Sequence, residues 1–345
     1  MKKTLNQLFF ILLSCSFLLL LLIYSKECIT LASKGLLIWY QNMIPTLFPF
    51  MVLSGFLVRT KISYKIGNLL QPFLGILLPL PSHMLYVVFM GFLCGFPMGA
   101  KIVADMMEKE QLSKKEGQYL LSFCNNIGPL YMMGYVIPLF QFKKTWLILL
   151  LMYSIPILFG LFSYIRIFLT FNIKSNSKLN TYQKLIIRNH EKEIMKSEYL
   201  PTAINCTKKD AINYLSCFQE SLSSALEQIT LLGGCMVFFN TLLIIPIKLL
   251  SLISLLQPIA HIYNIQGIFC AFIEIGGGLQ RLATQNSTTL LSPYILISLL
   301  TFGGLSCMIQ TFFIIKNTGL NIFTYLKHKT IQSCIYIFLY IIFNS

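Results

Sequence analysis

Apolar runs of about one bilayer's thickness alternate with short charged clusters along most of the chain, and several runs are interrupted near their middle. Leu8 to Ile23 follows Lys2 and Lys3, and no small-residue cleavage site comes after it, which predicts an uncleaved first span. Residues 35–58 carry Pro45 and Pro49 within an apolar pattern and predict a kinked or re-entrant helix, because each proline removes a backbone donor. A short apolar piece from Leu69 ends in Pro79 and Pro81 and suits an interfacial or re-entrant segment. Thr145 to Leu169 and Leu226 to Ile245 read as plain spans.

The stretch from Gly91 to Gly134 is different. It holds two apolar segments joined by a charged hairpin, and each is broken inside: the first at Gly95-Phe96-Pro97-Met98-Gly99, the second at Asn125-Asn126-Ile127-Gly128-Pro129. In lipid, freed backbone groups must find partners, so such breaks are tolerated only inside protein or along a cavity. Paired broken helices are also the best sequence pointer to a transporter's binding site. The second half echoes this order. Glu274-Ile275-Gly276-Gly277-Gly278 followed by Arg281 resembles the first break followed by Lys101, and Leu299-Leu300-Thr301-Phe302 before Gly303 resembles Leu120-Leu121-Ser122-Phe123 before Cys124, at nearly the same offset. Leu255-Leu256-Gln257-Pro258 matches Leu69-Leu70-Gln71-Pro72 with a small gap. The expectation is an all-α polytopic membrane protein with two internal repeats containing broken or re-entrant helices. Its divisions are 1–34 (first span and connector), 35–169 (first repeat), 170–218 (basic cytoplasmic loop) and 219–345 (second repeat and last span).

Composition supports the membrane reading: of 345 residues 56% are hydrophobic and 11% charged, with a mean hydropathy of +0.71. By length there is room for about seven to nine spans. The net charge of +15 is spread over loops beside the spans, which fits the positive-inside rule and attraction to anionic lipid, and argues against nucleic acid as a partner. Ten cysteines show no metal spacing and the four histidines stand far apart. No metal, no cofactor and no nucleophile–base pair is expected, so the chain does not read as an enzyme.

The candidate binding residues are Gly95, Pro97, Gly99, Lys101, Asn125, Asn126, Gly128, Glu274, Gly276, Gly277, Arg281 and Gly303. The glycines allow close backbone approach, to a solute or to a neighbouring helix. Lys101 either snorkels to the interface or faces an anion. Asn125 and Asn126 either satisfy freed carbonyls or face a polar solute. Glu274, an acid in a long apolar stretch, pairs with Lys101 or Arg281 or carries a coupling proton.

MIPTLFPFMVLSGFL, GFLCGFPMGAKIVADM, LLSFCNNIGPLYMMG, SALEQITLLGGCMVFF and LLTFGGLSCMIQ resemble the sporulation integral membrane protein YlbJ family, also called SpoVV, over roughly residues 30–330. The resemblance implies a nucleoside-recognition, or Gate, fold similar to that of concentrative nucleoside transporters. It also implies a place in the outer forespore membrane and a link to moving dipicolinic acid from the mother cell towards the spore. A flat dianion of that kind suits half-helix N-termini, with Lys101 and Arg281 as charges from the two halves. A nucleoside substrate, or a non-transporting scaffold that docks other sporulation membrane proteins through 170–218, stands as the alternative. Homo-oligomerisation is left open.

Overall fold

The computed structural model describes residues 2–140, 145–177, 213–256, 262–284 and 293–344, and all regular structure among them is helical. Most of the basic loop, Lys143, Lys144 and the Gln257-Pro258 echo lie outside the described residues.

Helix α1 (Lys2–Ile23) leads into α2 (Ser25–Ile38), which passes through a π-turn at Trp39–Met43 into α3 (Ile44–Arg59). Together α2 and α3 form one apolar rod, Ser25–Arg59, long enough to cross a membrane. Pro45 sits in the first turn of α3, where its missing N–H is not needed. The wide turn is held by the Trp39 indole, which donates to the Ile229 carbonyl at 2.9 Å. The segment is therefore continuous, with a π-turn, and not re-entrant.

Helix α4 (Ile62–Leu77) meets α5 (Ser82–Cys94) at 82°. Leu69, Phe73 and Ile76 stand 71%, 76% and 86% exposed at helical spacing, while Ser63 and Gly67 are buried on the other side. An apolar face turned outward at a steep angle to a neighbouring helix is the geometry of an interfacial helix.

After α5 comes the first interruption, residues 95–97, then α6 (Met98–Glu108) and α7 (Lys114–Cys124). The second interruption, 125–128, opens α8, residues 129–140, with a π-turn at Met132–Val136. The chain continues as α9 (Thr145–Ser177), α10 (Tyr214–Leu242), α11 (Ile244–Leu256), α12 (Ile262–Ile273), α13 (Ile275–Thr284), α14 (Pro293–Phe302), α15 (Gly304–Ile315) and α16 (Ile322–Asn344). Glu274 separates α12 from α13, and Gly303 separates α14 from α15.

Among the described residues four stretches are long and apolar enough to cross a membrane, or five if the bent α4–α5 pair is one span. That is fewer than the apolar content suggests. The reason is that α5, α6, α7, α12 and α13 have 13, 11, 11, 12 and 10 residues, each about half a bilayer.

The helix α10 serves as a ruler. Near its start Glu220 meets Arg59 and Ser224 meets Lys101 of α6. Asn240, near its end, meets Glu274, and just beyond it the Ile247 carbonyl accepts from Gln266 of α12. The pair α5–α6 thus reaches inward from the end where α10 begins. The pair α12–α13, whose helices pack on each other, reaches inward from the other end.

Lipid tails are as apolar as leucine, so close packing and polar contacts hold such helices together. The glycine row Gly91, Gly95 and Gly99 shows this. A methyl group on Gly91 or Gly99 would lie 2.6 Å from the Cys124 carbonyl oxygen. The row is the surface on which α7 and its interruption rest.

Candidate functional site

All four interruptions meet. The backbones of the first and second cross at Gly95 and Gly128, so closely that a methyl on Gly95 would stand 2.1 Å from the Gly128 nitrogen. Gly95 takes φ of +84° and ψ of −166°, a conformation open to glycine. Gly303, at φ +81°, lies against the ring of Phe96, and Gly276 lies near the Tyr131 hydroxyl. The meeting point lies against the second half of α10, where Leu232 and Met236 form one wall.

A cavity of about 60 Å³ opens there. Cys94 and Phe96 come from the first interruption, Ile127 and Gly128 from the second, Glu274 and Ile275 from the third, and Cys307 follows the fourth. Thr46, Tyr131 and Gln310 add polar atoms to a mostly apolar wall. A mostly apolar lining with a few convergent polar groups is the kind of wall that small-molecule sites have.

The Glu274 carboxylate is buried and accepts three hydrogen bonds: from the Gly276 amide at 3.0 Å, the Gly277 amide at 2.6 Å and the Asn240 side-chain amide at 3.0 Å. The first two are free donors at the N-terminus of α13, where the helix dipole favours an anion. The Gly276 carbonyl in turn accepts from the Tyr135 hydroxyl at 3.0 Å. The chain thus fills this half-helix terminus with its own carboxylate.

Asn125 and Asn126 are fully buried and brace the second interruption. The Asn125 oxygen accepts from the Ala100 amide at 3.3 Å, one of the free donors in the first turn of α6. Its nitrogen donates to the Thr311 and Tyr325 hydroxyls at 3.1 and 2.9 Å. Asn126 donates to the Phe123 carbonyl and accepts from the ammonium of Lys329, a buried residue of α16. Both amides are therefore turned to protein groups.

Of the twelve residues singled out from the sequence, Gly128 and Glu274 line the cavity. Gly95 and Gly99 face the second interruption, and Pro97 opens α6 as its N-cap. Neither Lys101 nor Arg281 pairs with Glu274. Lys101 forms a buried ion pair with Asp105 one turn on and donates to Ser224, while Arg281 donates to the Gln266 side-chain oxygen at 3.0 and 2.5 Å. Lys101 instead borders a wide polar vestibule with Arg59, Glu108, Glu220 and Lys316, at the end where α10 begins.

Asn240 and Lys329 are residues that sequence reasoning passed over. Asn240 is a single amide in an apolar run, with no local sign of its partner. For Lys329 a signal existed: Tyr325, Lys329, Gln332 and Tyr336 recur on one face of α16, and all are fully buried. A polar stripe at helical spacing in an apolar helix marks a face turned into the protein.

The fold and the site define a polytopic, all-helical integral membrane protein with interrupted helices around a central cavity. The chain is similar to the sporulation integral membrane protein YlbJ of Bacillus subtilis (strain 168), with 26% identity over 315 residues, covering 84% of this chain and 71% of that relative. No family model matches the chain, and no solved structure matches it.

Proposed function

We propose that this protein is a sporulation transporter that moves a small organic anion, dipicolinic acid first among the candidates, from the mother cell towards the forespore across the outer forespore membrane. One observation carries the reading: four chain interruptions converge on one cavity between the helices. The two folded-back pairs, α5–α6 and α12–α13, approach from opposite ends of α10, and each is followed by an interrupted helix. This order supports two inverted repeats of a Gate-like fold, the arrangement in which solute sites lie between the repeats. Alternating access then follows from rocking one repeat against the other. The similarity to a sporulation membrane protein supplies the setting.

A nucleoside is the second reading. It is favoured by Thr46 and Gln310, two uncharged groups on the cavity wall that suit a neutral polar solute. The purified protein in proteoliposomes, given labelled dipicolinate and labelled uridine in parallel, decides between them. Uptake of dipicolinate above empty liposomes is expected, and uptake of neither solute overturns the transporter reading.

A further inference from the structure

We infer that Lys329 is the charge that selects an acidic solute, an inference that rests on the transporter reading above. Its ammonium is fully buried and donates to the Asn126 side-chain oxygen at 2.5 Å. It lies 5.1 Å from the centre of the Phe96 ring and 6.0 Å from that of Tyr325. Among the described residues it takes part in no ion pair. A buried ammonium held by one amide oxygen and two ring faces keeps most of its charge unmatched, and such a charge is retained in a membrane protein when it is used.

Its position supplies the use. Phe96 borders the cavity and also covers the ammonium. Asn126 directly precedes Ile127 and Gly128, which border the cavity as well. Phe96 sits between Gly95 and Pro97, and the absence of a side chain at Gly303 leaves its ring room, since a methyl there would come within 3.1 Å of it. Of the other charges, Lys101 is paired with Asp105, the Glu274 carboxylate accepts from the α13 amides, and Arg281, which is only part-buried, donates to Gln266. Lys329 does not itself line the cavity, since the Phe96 ring stands between its ammonium and that space, so a swing of this ring is what brings the ammonium to a carboxylate of the solute. Ammonium–carboxylate contacts of this kind are strong when water is excluded.

The test compares pyridine-2,6-dicarboxylate with its uncharged dicarboxamide, by ligand-induced thermal shift on the purified full-length protein. The wild type is expected to prefer the dicarboxylate by about tenfold or more, as for a charge-assisted contact. Lys329→Met is expected to lose that preference while binding the dicarboxamide as before. If Lys329→Met does not fold, Asn126→Asp replaces it, an isosteric change that sets a carboxylate on the ammonium and is expected to abolish the preference equally. A variant that keeps the preference, or that weakens both ligands alike, overturns the inference alone. A wild type that binds neither ligand overturns the transporter reading together with it.

Discussion

Replacing Gly95 by alanine tests whether the crossing of two interruptions holds the centre of the fold. The added methyl would lie 2.1 Å from the Gly128 nitrogen, 2.6 Å from its α-carbon and 3.1 Å from the Ile127 carbonyl carbon. These are backbone atoms, so no rotamer change relieves the contact. Gly128 has the reciprocal contact, with a methyl there 2.6 Å from the Cys94 carbonyl oxygen. A side chain at φ +84° costs about 1–3 kcal/mol, and overpacking a closed contact adds about 1–3 kcal/mol. The expected loss is therefore about 2–6 kcal/mol. Gly134→Ala is the control, since nothing lies within 4 Å of the added methyl. Thermal unfolding of both variants in detergent, with size-exclusion chromatography to check dispersity, measures the difference. A Gly95→Ala protein as stable as Gly134→Ala would refute the close crossing.

Glu274→Gln offers one carbonyl to two amide donors and turns an NH₂ group on the other, so dipicolinate uptake is expected to fall while the protein stays monodisperse; uptake within about twofold of wild type would show that the charge is not used. Asn125→Ala leaves the buried Ala100 amide without its acceptor and is expected to lower stability by about 1–3 kcal/mol, read by thermal unfolding. At the exposed α6–α7 turn, Ser113→Ala removes a capping box with Glu116 and is expected to cost about 0.5–2 kcal/mol. Partial burial pushes the Glu116 carboxyl up, but the Ser113 amide and hydroxyl and His83 together hold it below its ordinary value. Its contribution is thus present above the ordinary carboxylate pKa of about 4.3 and lost as pH falls through the lowered one, and Ser113→Ala is expected to flatten the acid limb of a stability–pH curve.

The interruptions were legible in the sequence because their causes are local. Gly95 and Pro97, Gly128 and Pro129, the glycines after Glu274, and Gly303 each break a helix through their own backbone chemistry or that of a residue within one turn. The pair Lys101–Asp105 was equally local, at i,i+4 on α6, and it decides that this lysine serves the vestibule helix and not the cavity. Glu274 also finds its donors two and three residues on, in the amides of Gly276 and Gly277. The convergence was decided by tertiary packing alone. Lys329 and Asn126 stand 203 residues apart, and Asn240 and Glu274 stand 34 apart. Pattern along a chain reports what each residue does to its own turn of helix, whereas which buried charge faces which amide depends on how separate helices stack, and that is fixed only when the whole bundle closes.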